Sequence, residues 1–220
     1  MTATAPPVEG RNLTFYVDKG VYGLAKHWLL LASLFWGLYA GLPFLAPVLM
    51  DAGLTLPARV IYTVYRPLCH QLPERSYFLG GHEHVYTAEE LEAAGVEIHP
   101  FSRDIGNESV GWKIAYCQRD VAIYGSILIA GLIYGLIRRR WREWKMPFRY
   151  YLLFLIPMAI DGLLQLVGLH ESNWILRTIT GAIFGIGSVL FAYPYLDQGM
   201  LDVRHSIDSR RQSEQVQPVE

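Results

Sequence analysis

Four stretches of the chain are apolar for long enough to cross a bilayer, which takes about 20 mostly apolar residues at roughly 1.5 Å of helix each. They run over about 27–50, 121–137, 148–170 and 178–196. Short hydrophilic turns separate the last three, and an outer loop over 51–119 separates the first two. The pattern predicts an all-α membrane protein built as a four-helix transmembrane bundle. The first run is too long for the core of a cleaved signal peptide and no A-x-A site follows it, so it is read as a retained anchor.

Inside the outer loop, "LPARVIYTVYRPLC" spaces Val60, Ile61, Val64 and Leu68 as one helix face. It reads as an outer surface helix with Arg59 and Arg66 reaching for water, or as a helix packed on the bundle. The stretch "HEHVYTAEELEAAGVEIHPFSRDIGNESVGWK" then turns polar and predicts a solvated extracytoplasmic excursion. Thr87 and Glu90 are spaced as a capping box and Gly95 as the stop of a short helix. His82, His84 and His99 read there as solvated surface residues, and the terminal "SIDSRRQSEQVQPVE" as a disordered tail.

Charge sets the orientation. Arg138, Arg139, Arg140, Arg142, Lys145 and Arg149 crowd the turn between the second and third spans, and positive residues are retained on the cytoplasmic side. Both termini are then cytoplasmic, while "HESNW" and the loop 51–119 face out. The division is a cytoplasmic N-terminal segment over 1–23, one transmembrane domain over 24–197, and the tail over 198–220. Composition agrees: 52% apolar and 13% aromatic exceed what a soluble domain needs. A net charge of -1 argues against a nucleic-acid partner. The expected partners are the lipid bilayer of a prokaryotic cytoplasmic membrane and a membrane protein or a second copy of the chain.

Small residues recur at four-residue intervals: Ser33, Gly37 and Gly41, then Gly131 and Gly135, then Gly181 and Gly185. They read as close helix packing. Ionisable groups in hydrocarbon need partners, and Asp161 and Gln165 share one face of the third span. Arg177 is the nearest cation to Asp161 by chain order, with Arg119 its rival.

These groups gather at the outward end with "CHQLPERS" and "YCQRD". Cys69, His70, Gln71, Cys117, Arg119, Asp120, Asp161, Gln165 and Arg177 can converge on one shallow pocket, and three chemistries compete there. A Cys69–Cys117 disulfide would suit an oxidising compartment. A metal site from Cys69, His70 and Cys117 with a carboxylate such as Asp120 has donor types suited to a transition metal ion such as zinc, although adjacent Cys-His is poor chelate spacing. A thiolate favoured by Arg119 is the third.

"CHQLPERS", "YCQRDVAIYG", "PMAIDGLLQLVGLHESN" followed by Arg177 and Thr178, and "TGAIFGIGSVLFAYPYL" together resemble a bacterial and archaeal family of multi-pass membrane proteins, domain of unknown function 2085. The resemblance covers about 66–196. Many relatives are similar to a C-x-R-C form at the second motif, where this chain has Asp120 in place of the last cysteine. The excursion over about 82–104 resembles an insertion. The family implies no activity.

The leading expectation is a membrane protein whose outward-facing site binds a metal ion or small polar ligand, or is redox-linked. The alternatives are a structural or assembly subunit with a disulfide, and a small transporter. No nucleophile-base pair and no H-E-x-x-H spacing assigns a reaction.

Overall fold

A computed structural model describes residues 8–99, 102–141, 143–169 and 171–216. The membrane-spanning helices are α1 (Val8–Asp51), α4 (Gln118–Trp141), α5 (Phe148–Leu166) and α6 (Trp174–Val216). All four are long and apolar enough to cross a bilayer. A helix satisfies its backbone hydrogen bonds internally, which is why such runs take this form in lipid. The expected all-α bundle is therefore present.

α4 and α6 form the centre. Gly185 makes the contact: a Cβ there would fall 2.0 Å from Ser126 Oγ and 2.5 Å from Ile123 O. α1 packs on both helices, and α5 packs on α6 through Tyr151 stacked on Phe191. The small-residue reading needs one correction. Gly37 and Gly41 of α1 meet nothing within 4 Å. α1 instead turns Ala25, Ala40, Pro43, Ala46 and Pro47 inward.

The outer loop holds more structure than its polarity suggested. α2 (Thr55–Tyr65) buries Ala58, Tyr62 and Tyr65, while Val60, Val64 and Leu68 are exposed. After a single 3-10 turn, Pro73–Arg75, strand β1 (Ser76–Gly80) begins, followed by α3 (Ala88–Ala93), β2 (Gly106–Asn107) and β3 (Gly111–Cys117). The sheet has the order β1-β3-β2 and is antiparallel, with Ser76 opposite Cys117. Four consecutive residues of β3, Lys113 to Tyr116, are buried, so the strand lacks the alternation that marks a half-exposed one. That is why a strand was not expected there. Gly111, at φ 80°, is packed so closely that a Cβ would fall 2.3 Å from Leu79 O. The capping box is formed: Thr87 Oγ1 accepts from Glu90 N, and Glu90 Oε2 accepts from Thr87 N.

Three boundaries differ from expectation. α4 starts at Gln118, directly from β3, and α5 stops at Leu166 before Gly168, whose φ is 72°. His170 and Arg142 lie outside the described residues. Residues 198–216, expected as a disordered tail, continue α6. The α1 extension gives them a partner: Arg210 pairs with Asp18 at 3.3 Å, and Arg204 lies 5.4 Å from the ring centre of Tyr22. The N-terminal segment is likewise helical from Val8.

Candidate functional site

Sheet pairing brings the two cysteine motifs together. β1 sets Ser76 opposite Cys117, and the seven residues before Ser76 double back to place Cys69 beside it. Cys117 N donates to Cys69 Sγ at 3.3 Å, and Cys117 Sγ donates to Asp120 Oδ2 at 3.1 Å. One donor atom from each of Cys69, Cys117 and Asp120 lies within 4.8 Å of the others. No disulfide joins the two cysteines in this arrangement.

The turn that positions Cys69 is held at Gln71, a non-glycine residue at φ 53°. This left-handed conformation is uncommon for such a residue and persists where surrounding contacts enforce it. Gln71 is buried; its Nε2 donates to Tyr62 O at 3.0 Å, and its carbonyl accepts from Lys113 Nζ at 2.5 Å. Tyr62 OH closes the triangle by donating to Lys113 O at 2.5 Å. Lys113, fully buried on β3, was not singled out in the sequence because its neighbours carry no motif. Burial, followed by the charge of Arg66, lowers its pKa to about 8. The Cys69 thiol is pushed up, first by its hydrogen bond with Cys117, then by burial and by the charges of Cys117 and Asp120. These neighbours favour a proton or a cation at the Cys69 sulfur.

A cleft of about 410 Å³ opens on this cluster. Cys69, His70, Gln71, Cys117, Arg119, Asp120, Gln165 and Arg177 all line it, together with Leu68, Leu72 and Arg75. Asp161 stands behind, buried and ion-paired with Arg119. This corrects the pairing ranked first from chain order. Arg177 instead donates to Gln118 Oε1 at 3.1 Å, and Gln118 Nε2 donates to Ser76 O at 3.1 Å. The reason is the first turn of α4, which points Arg119 at α5 and Gln118 at α6. His70 also departs from expectation. It is exposed at the rim, and Asp120 takes its place in the close donor set. His82, His84 and His99 are exposed on the excursion.

Four buried side-chain atoms around the cleft have no hydrogen-bond partner among the described residues: Gln71 Oε1, Arg119 Nε, Asp161 Oδ1 and Arg177 Nε. Buried polar groups are ordinarily satisfied, so this concentration fits a place that receives a polar guest.

A second buried polar network lies at the opposite end of α4 and was not anticipated. Asp197 accepts from Trp28 Nε1 at 3.0 Å, and from Arg138 NH2 at 2.5 Å and Nε at 3.1 Å. It ties α1, α4 and α6 together. The sequence shows only an acid closing an apolar run, "YPYLD", and its partners Trp28 and Arg138 stand 169 and 59 positions away.

Four membrane-crossing helices, one end capped by a small sheet over a thiol-carboxylate cluster, define a multi-pass membrane protein with a polar site at one end of its bundle. The chain belongs to the family of predicted membrane proteins known as domain of unknown function 2085. The family profile matches residues 109–191. An uncharacterised protein of Methanocaldococcus jannaschii is 33% identical over 177 residues, covering 78% of this chain and 93% of that protein. No solved structure matches. The family match includes Cys117, Arg119, Asp120, Asp161, Gln165 and Arg177, and begins after Cys69, His70 and Gln71.

Proposed function

We propose that the protein binds a transition metal ion, zinc by donor chemistry, at the outward end of the bundle through Cys69, Cys117 and Asp120. The observation that carries this reading is the mutual approach of the three donor atoms to within 4.8 Å. Zinc–sulfur and zinc–oxygen bonds of about 2.3 and 2.0–2.2 Å put tetrahedral donors roughly 3.5 Å apart, so side-chain movements of about 1 Å would close the set. A bound cation would also displace the proton that Cys69's surroundings hold on its thiol. The fourth position faces the cleft, where water, His70 or a small polar ligand completes it. The arginine-rich turn after α4 favours placing that end in the cytoplasm, which puts the site on the outer face of a prokaryotic cytoplasmic membrane.

The test is metal analysis of protein purified without chelator. About one metal ion per chain is expected, lost in Cys69→Ser, Cys117→Ser and Asp120→Ala. A Cys69–Cys117 disulfide in the unreduced protein, with no metal, would overturn the reading in favour of a structural subunit.

A further inference from the structure

α1 extends well past the membrane. Arg119 and Arg138 lie nineteen positions apart on α4, about 28 Å at the helical rise, close to the ~30 Å thickness of a hydrocarbon core. Trp28 and Asp197 share the Arg138 level through their hydrogen bonds. Residues 8–27 of α1 and 198–216 of α6 therefore project beyond it, side by side, for about 28–30 Å.

Along the outward face of α1 the apolar residues keep a seven-residue period. Val17, Leu24, Leu31, Leu38 and Leu45 are 53%, 54%, 44%, 64% and 42% exposed. Three positions further on in each repeat stand Gly20, His27, Leu34, Gly41 and Val48. A Cβ on Gly20 or Gly41 would meet nothing within 4 Å in this chain, which leaves room for a side chain from outside it.

Lipid explains part of this row but not its period or its length. A lipid-facing surface needs apolarity alone, whereas a strict seven-residue repeat drifts about 20° per heptad on a straight helix and stays in line only against a supercoiled partner. Val17 lies eleven residues before Trp28, about 16 Å past the hydrocarbon edge and beyond the headgroup layer. Bare in water, that part of the row would cost hydrophobic free energy.

We propose that the row is the interface with a second copy of this chain, two α1 helices forming a parallel left-handed coiled coil. Copies in one bilayer share one orientation, so the helices pair parallel and in register about a two-fold axis. From Leu13 to Leu45 the strip is about 48 Å long and half a ~10 Å helix around, roughly 750 Å² per copy, against about 800 Å² per partner in a standard interface. The proposal is independent of the metal reading.

Single cysteines at Leu24→Cys and Leu38→Cys, oxidised in native membranes, are expected to give same-residue cross-linked dimers, mapped by mass spectrometry. Leu153→Cys on α5, 60% exposed, should cross-link at least tenfold more slowly. Val17→Glu with Leu24→Glu should convert the particle from dimer to monomer by light scattering; if that variant misfolds, the cross-linking contrast decides. Equal rates at Leu153 and Leu38, or a monomeric wild type in lipid nanodiscs, would overturn the proposal. The second result would leave lipid or another protein over the row.

Discussion

The two ends of α4 each carry an arginine facing a buried aspartate, yet they are finished differently. At the Arg138 end both carboxylate oxygens of Asp197 accept hydrogen bonds, from two guanidinium nitrogens and an indole N–H. At the Arg119 end Asp161 keeps one oxygen unpaired, Arg119 keeps its Nε unpaired, and the arginine opens on a cleft. A closed network can only hold three helices together. An incomplete one beside a cavity retains groups that a guest can satisfy, because burial without a partner costs about 1–3 kcal/mol per group.

The sharpest way to break this comparison is to remove each acid. Asp197→Ala strands Arg138 and leaves Trp28 without its acceptor, and should cost about 3–5 kcal/mol, read as a lowered melting temperature in detergent. Adding Arg138→Leu should recover part of the loss, because the two residues act as one unit. If Asp197→Ala melts like the native protein, the clamp assignment fails.

Midway between the ends, Gly185→Leu should force α4 and α6 apart and cost about 1–3 kcal/mol or more, by overpacking. Gly37→Leu, which meets no atom within 4 Å in this chain, should leave the monomer's stability near the native value. Asp161→Ala should be milder than Asp197→Ala, about 1–3 kcal/mol, since Arg119 can turn to the water of the cleft. A double-mutant cycle should give at least about 0.5 kcal/mol of coupling between Asp161 and Arg119 and a smaller value between Asp161 and Arg177, which interact through charge without a hydrogen bond. The reverse result would restore the pairing suggested by chain order.

The smallest expected effect concerns Lys113, which has a carbonyl where Arg138 has a carboxylate. Its folded pKa is about 8, against about 10.4 in an unfolded chain. Between these values the unfolded state binds more protons, so this residue's penalty is full below pH 8 and is relieved as pH rises to about 10.4. The raised Cys69 thiol acts oppositely in the same window, its stabilisation being lost as pH rises. The difference between wild type and Lys113→Met isolates the lysine: the advantage of Lys113→Met should shrink from pH 7 to pH 10. A constant difference would show that Lys113 keeps the pKa of an exposed lysine and is well solvated in the folded chain.

The four spans were legible because a bilayer admits long apolar helices and little else, so apolar length alone announces them. The residues that meet at the cleft were legible as a group for a related reason: Arg119, Asp120, Gln165 and Arg177 are polar residues at helix ends, and helix ends on one side of a bundle must be neighbours. Which of them bond was not. Arg119 and Arg177 stand at equivalent ends, and only the rotation of α4 and α6 about their axes aims one at Asp161.

What the sequence determined by itself is the set of elements governed by one dimension of the chain: span length, charge next to the spans, and the local Thr87–Glu90 cap. Tertiary structure alone decided the sheet, whose strand β3 is buried on both faces and shows no alternation. It decided the helicity of residues 198–216, which depends on α1 lying alongside. It also decided the approach of Cys69 to Cys117 across 48 positions. Each of these is a contact between segments distant in sequence, and its energy exists only after both have been brought to the same place.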